Sequence, residues 1–160
     1  MKCNNYPSWL VSLEIAKELK GIGFDEPTLF HYYENDFDVT IETNSYYDEG
    51  EAQGYLHFYI SAFKEENFNR DKKCISIPTW EQVFEWFREK GYDSYIGLES
   101  HSYIDEGNYY YFEITKSNLY NISQLDWKGD FDDYNEAREA LVKALIRTYK
   151  QEQPIMDENE

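Results

Sequence analysis

Residues 109–114 read Tyr-Tyr-Tyr-Phe-Glu-Ile, and this stretch decides the fold class. In an extended strand successive side chains point to opposite faces, so the stretch separates into two sides. One side carries Tyr110, Phe112 and Ile114, and the other carries Tyr109, Tyr111 and Glu113. A sheet covered on both faces would have continuous apolar runs, so this alternation predicts an antiparallel sheet with one covered face and one open face.

The same alternation recurs in three other stretches, residues 37–42, 55–62 and 95–99. In each of them one side is apolar, while the other is acidic, aromatic or both. We predict that the polar sides together form a partner-binding surface. Its members are Asp38, Glu42, Tyr55, His57, Tyr59, Tyr95, Glu99, Tyr109, Tyr111 and Glu113.

Such a surface suits a partner that presents arginine or lysine side chains. Tyrosine rings supply a large contact area at a low cost in conformational entropy. Carboxylates and rings together bind cations by charge-assisted hydrogen bonds and cation–π contacts. The alternative interpretation is that tyrosine is simply a good strand residue, whose ring covers the sheet while its hydroxyl reaches water.

Three further stretches have the spacing and the end signals of helices. Ser12 is placed to cap the first, which stops at Gly21. Thr79 and Gln82 form the capping box of the second, and an apolar stripe of helical spacing follows. The third begins at Asp133, in an Asp-x-x-Glu start. The stripe of the second helix consists of Trp80, Val83, Phe84 and Phe87.

These elements predict a single α+β domain over residues 1–150, followed by a disordered acidic tail at 151–160. We expect a mostly antiparallel sheet of about four to six strands with three helices on one face. Residues 45–50 resemble residues 102–107, and a tyrosine-rich strand follows each. The repeat suggests a duplicated helix–hairpin unit, although Asp-Glu-Gly is equally the composition of an ordinary hairpin turn.

The chain is strongly acidic, with 32 Asp and Glu against 15 Lys and Arg and a formal charge of -17. Residues 21–63 and 91–115 contain no Lys or Arg, so the predicted strands are the acidic part. Repulsion disfavours direct contact with nucleic acid or with a membrane, and a basic protein surface is the expected partner. A sharper hypothesis is a DNA mimic whose carboxylates stand in for phosphates. A homodimer through the open face and a role of the charge in solubility alone remain alternatives.

Motifs that would indicate an enzyme are missing from the sequence. There is no phosphate-binding loop, and His31, His57 and His101 lack the spacing of metal ligands. Cys3 and Cys74 are predicted to be thiols outside any disulfide. We therefore predict no catalytic residue, no metal and no cofactor. The rival hypothesis is a small hydrolase or metal-dependent enzyme that uses clustered Asp, Glu and His in a cleft.

Residues 75–90, Ile-Ser-Ile-Pro-Thr-Trp-Glu-Gln-Val-Phe-Glu-Trp-Phe-Arg-Glu-Lys, resemble a pattern in small uncharacterised proteins of bacteriophages and prophages of gut bacteria. The helix start at residues 134–138 and the short helix of residues 12–24 are similar to theirs as well. Together these stretches comprise 34 of the 160 residues. The resemblance implies a bacterial or phage setting in the cytoplasm.

Overall fold

The computed structural model describes residues 7–34, 39–43, 65–100, 107–117 and 121–153. Within these ranges the chain forms three α-helices and six strands, besides a short 3-10 helix at Phe68–Arg70. In chain order they are α1 (Leu13–Gly21), β1 (Phe30–Glu34), β2 (Val39–Thr43), β3 (Cys74–Ile77), α2 (Trp80–Glu89), β4 (Tyr92–Ser100), β5 (Asn108–Ser117), β6 (Ile122–Phe131) and α3 (Tyr134–Glu152).

The α+β class, the three helices and the antiparallel pairing predicted from the sequence are confirmed. The six strands form two three-stranded sheets, ordered β2-β1-β3 and β4-β5-β6, where the sequence predicted one sheet. The chain divides into two compact units, residues 1–82 and 83–160, and each unit contains one sheet. A period-two pattern reports which side of a strand is covered, but it does not report which strands are neighbours.

The helices are shared between the two sheets, whereas the sequence predicted all three on one face. In the first unit α1 contacts β3, and in the second unit α3 contacts all three strands β4, β5 and β6. Two separate sheets need separate layers to cover their apolar sides, so the helices are divided between them.

The predicted caps are present at all three helices. Ser12 Oγ accepts a 3.3 Å hydrogen bond from the Ile15 N–H. Thr79 and Gln82 form the reciprocal pair of a capping box, with bonds of 3.2 and 3.0 Å. Asp133 Oδ1 accepts from two backbone N–H groups at the start of α3. These bonds satisfy amide groups that have no partner inside the helix.

Two predicted helix features differ in detail, namely which residues of α2 are buried and where α3 ends. The apolar stripe of α2 buries Trp80, Val83 and Phe87, but it also buries Trp86 and leaves Phe84 half-buried. The third helix continues to Glu152, which lies inside the segment predicted as a tail. Residues 154–160 lie outside the described residues.

The two units suggested to be duplicates share a local feature after a helix, but their sheets differ in strand order. Gly23 and Gly91 both have a φ of 86°, and each follows a helix. An aromatic residue, Phe24 or Tyr92, is buried directly after each glycine. Among the described strands, however, the central strand of the first sheet is β1, which comes first in the chain, whereas the central strand of the second sheet is β5, which comes second of its three. The repeated segments themselves, except Gly107, lie outside the described residues.

In the second unit α3 covers one side of the β4-β5-β6 sheet, which we call the inner face. Phe112 and Ile114 of β5 are buried on this side, as the alternation predicted. Ion pairs join Lys116 of β5 to Glu152 of α3 and Asp126 of β6 to Arg147 of α3. The opposite side of the same sheet is called the outer face, and it carries the side chains described next.

Candidate functional site

Five of the ten predicted site residues lie together on the outer face. They are Tyr95 and Glu99 on β4 and Tyr109, Tyr111 and Glu113 on β5. Glu42 lies on β2, in the sheet of the other unit. The remaining four predicted residues, Asp38, Tyr55, His57 and Tyr59, lie outside the described residues.

The register of β4 and β5 places each carboxylate directly opposite a tyrosine. Tyr95 pairs with Glu113, and Glu99 pairs with Tyr109. The Tyr95 hydroxyl donates a 2.5 Å hydrogen bond to Glu113 Oε2, and the Tyr109 hydroxyl donates a 2.9 Å bond to Glu99 Oε2. The outer face therefore contains two tyrosine–glutamate pairs, with the glutamate on β5 in one and on β4 in the other, separated by the row that holds Tyr111.

The hydrogen bonds to carboxylates change the acidity of both tyrosines. The bond to Glu113, aided by desolvation, raises the pKa of Tyr95, and the bond to Glu99 raises the pKa of Tyr109. A phenol that donates to an anion is harder to ionise, because ionisation would bring two negative charges together. Both hydroxyls are protonated at neutral pH, as ordinary phenols are, and each holds its ring and its partner carboxylate in place by donating to it.

Glycine makes room for the central ring of the outer face. Gly97 lies opposite Tyr111, and a Cβ atom at Gly97 would overlap the Tyr111 ring. The Tyr111 ring thus covers the β4 backbone where no side chain stands in its way. It meets the Tyr95 ring edge to face, with ring centroids 6.0 Å apart at 82°.

Trp127 on β6 completes this surface, and the sequence did not predict its role. It pairs with Glu113 in the register, and its ring centroid lies 6.2 Å from that of Tyr111. Trp127 and Tyr95 are both 49 % exposed. We call Tyr95, Glu99, Tyr109, Tyr111, Glu113 and Trp127 the aromatic–acid surface.

Trp127 was missed because β6 does not follow a regular alternation. Its pairing with β5 shifts register twice, between Tyr110 and Phe112 and between Ile114 and Thr115. Each shift inserts an extra residue and moves the side-chain pattern to the other face. Gly129 lies at one of these irregularities, and a Cβ there would be 2.9 Å from Trp127 Cη2 and 3.2 Å from Tyr109 Cε2. A tryptophan close to a strand glycine was the available signal.

Charge is separated between the two sides of the second unit. Asp93, Glu99 and Glu113 share the outer side of the sheet. Lys116 and Lys128 pair with Tyr92 and Phe112, which places both lysines on the inner side. The other Lys and Arg residues among the described part of this unit lie on or next to helices, namely Arg88, Lys90, Arg138, Lys143, Arg147 and Lys150. The described outer face is therefore acidic and aromatic, without a cationic side chain.

Among the described residues, the arrangement that comes nearest to a catalytic triad lies in the first unit. Glu42, His31 and Ser76 occupy one register row across β2, β1 and β3. Ser76 is 1 % exposed, and the His31 ring stacks on Phe68 with centroids 4.1 Å apart. A serine nucleophile must reach its substrate, and both Ser76 and His31 are buried. Cys74 is likewise a buried thiol.

Across residues 7–34, 39–43, 65–100, 107–117 and 121–153, no group of three or more His, Cys, Asp or Glu side chains could hold a metal ion. None of the helices in these ranges has both the length and the apolar character needed to cross a membrane.

No protein-family model matches the chain, and no curated protein and no solved structure is significantly similar to it.

Proposed function

We propose that this chain is a non-enzymatic binding protein that docks a basic protein partner on the aromatic–acid surface. The observation that carries the proposal is the pair of tyrosine–glutamate contacts beside a half-exposed tryptophan, on a sheet face without Lys or Arg among the described residues. Tyrosine and tryptophan dominate the energetics of protein interfaces because they bury much area for few rotatable bonds.

The two carboxylates keep capacity for a partner. Each ionised carboxylate offers about four lone-pair sites, and one of them takes the tyrosine hydroxyl. Glu99 is exposed and Glu113 is half-buried, so both can accept further hydrogen bonds from an incoming cation. Because the tyrosines already fix the carboxylates, a partner loses less free energy in ordering them.

Net charge favours the encounter as well as the contact. At -17 the chain attracts a basic surface over distances comparable to the Debye length, about 8–10 Å at physiological salt. Such steering raises the association rate and makes it sensitive to salt. Binding through this surface should therefore weaken as the salt concentration rises.

The spacing of the acids favours recognition of single cationic side chains over imitation of DNA. Glu99 and Glu113 stand in rows four residues apart along the strands, which corresponds to about 14 Å. Each strand of DNA carries a phosphate every ~3.4 Å of helix axis. Aromatic rings fill the interval between the two carboxylates, and rings have no counterpart in a row of phosphates.

A homodimer through the same surface is less well supported. In a two-fold dimer each copy would place Glu99 and Glu113 near the same acids of the other copy. Like charges brought together at an interface cost several kcal/mol. This cost is at least as large as the free energy gained from a ring contact.

The proposal is tested by affinity capture from lysate of the cells that express the chain. The outer-face variant is Glu99→Gln with Glu113→Gln, and the matched control is Glu85→Gln with Glu89→Gln, two exposed acids of α2. The wild type and the control should retain the same Lys- and Arg-rich proteins, identified by mass spectrometry, and the outer-face variant should lose them. Equal retention by all three proteins contradicts the proposal, provided circular dichroism shows that each is folded.

A further inference from the structure

We infer that the aromatic–acid surface selects arginine over lysine and that its partner is an extended segment with two arginines four residues apart. This inference rests on the proposed function and specifies the chemistry of its ligand. It follows from three features of the surface: the neighbours of Glu113, the shape of the aromatic cluster and the distance between the two tyrosine–glutamate pairs.

Glu113 lies between two aromatic residues in one register row. Tyr95 stands opposite it on β4 and Trp127 opposite it on β6. A guanidinium can direct its N–H groups at the carboxylate while its plane rests on a neighbouring ring. A lysine ammonium can contact the same carboxylate, but it has no plane to stack and is more strongly hydrated. The row therefore offers arginine a planar stacking contact, whereas a lysine ammonium meets a ring only as a point charge.

The rings form a platform and leave no enclosed cage. Tyr95 and Tyr111 touch edge to face, with centroids 6.0 Å apart. Tyr111 and Trp127 are 6.2 Å apart and tilted by 31°. To enclose a cation, two rings must face each other from opposite sides of it, each with its centroid within about 6 Å of the cation. A flat guanidinium lying on the half-exposed surface suits this geometry better than a bulky methylated ammonium.

The second tyrosine–glutamate pair repeats the first at a fixed distance. Tyr109 and Glu113 are separated by four residues on β5, which spans about 14 Å in a strand. In an extended ligand, residues four apart have the same separation and point to the same side. A segment with the pattern Arg-x-x-x-Arg lying over the β4–β5 pair could therefore place one arginine at Glu113 and the other at Glu99.

The test uses three short, fluorescently labelled glycine–serine peptides at low salt, titrated with the full chain and followed by anisotropy. The first has two arginines four positions apart, the second has lysines at the same places, and the third has two arginines at adjacent positions. We expect the first to bind about fivefold more tightly than either of the others. Trp127→Ala should reduce the preference for the first peptide over the second, and Glu89→Gln should leave all three affinities unchanged.

The possible failures are distinguishable. If the lysine peptide binds as tightly as the arginine peptide and Glu113→Gln weakens both, arginine selectivity is overturned while binding of a basic partner stands. If adjacent arginines bind as well as spaced ones, the two-site geometry is overturned. If no peptide responds to Glu113→Gln or to Glu99→Gln, both this inference and the proposed function fail. Thermal melts of each variant separate a lost contact from a lost fold.

Discussion

The ring of Tyr111 lies across the backbone at Gly97, its direct partner on the neighbouring strand. An alanine Cβ at position 97 would overlap that ring, so one of the two must move. We expect Gly97→Ala to destabilise the protein by roughly 1–3 kcal/mol, as other overpacked sites do. Urea denaturation of the variant and the wild type measures the effect.

A double-mutant cycle isolates this contact. In the background of Tyr111→Ala the added methyl group has no ring to meet, so Gly97→Ala should cost little there or stabilise the strand slightly. An equal cost of Gly97→Ala in both backgrounds would show that the backbone at Gly97, and not the Tyr111 ring, requires glycine.

The alkaline titration of the outer-face tyrosines depends on their carboxylate partners. Because hydrogen bonds to Glu113 and Glu99 raise the pKa values of Tyr95 and Tyr109, replacing both acids by glutamine should let these phenols ionise at lower pH. Phenolate absorbance during a pH titration measures the shift. The control is Glu85→Gln with Glu89→Gln, which changes the charge equally on α2. Superimposable titrations of the two variants would contradict the assigned hydrogen bonds.

The end of α3 should contribute stability that depends on pH. Hydrogen bonds from Lys116 and Tyr92 lower the pKa of Glu152, so the folded state favours the ionised carboxyl. The stabilisation is present above the unfolded pKa and is lost as pH falls through the folded pKa. Since the Lys116 and Glu152 side chains are 40 % and 33 % exposed, we expect less than about 1 kcal/mol.

Denaturation midpoints measured from neutral pH down to about pH 3 check this expectation. Glu152→Gln should be less stable than the wild type at neutral pH, and the difference should shrink on acidification. Glu89→Gln serves as the matched control, because it removes an equal charge from an exposed position in another helix. A difference between Glu152→Gln and the wild type that stays constant with pH would contradict the role assigned to the carboxylate.

Lys20 should stabilise the loop that enters β3. Its Nζ donates a 2.7 Å hydrogen bond to the carbonyl of Asp71 and a 2.5 Å bond to that of Cys74. Removing the charged donor by Lys20→Met should cost about 1.5–3 kcal/mol, the usual range for a hydrogen bond to a charged group. Hydrogen exchange should speed up at residues 71–74 first. Lys72→Met, an exposed lysine in the same loop, is the control and should change neither measurement.

The sequence by itself determined the local features of this protein. Alternation in residues 109–114 placed Tyr109, Tyr111 and Glu113 on one side of a strand, because side chains in an extended chain point to opposite faces by geometry alone. The helix starts at Ser12, Thr79 and Asp133 were equally readable, since a cap depends only on residues within one turn.

Only the tertiary structure decided which strands are neighbours and therefore which side chains meet. The pairing of Tyr95 with Glu113, the open position at Gly97 and the division into two sheets all depend on contacts between distant parts of the chain. Trp127 joined the surface through a strand whose two register shifts break the period on which the sequence prediction relied. Register is an outcome of packing between strands, and no period within one strand contains it.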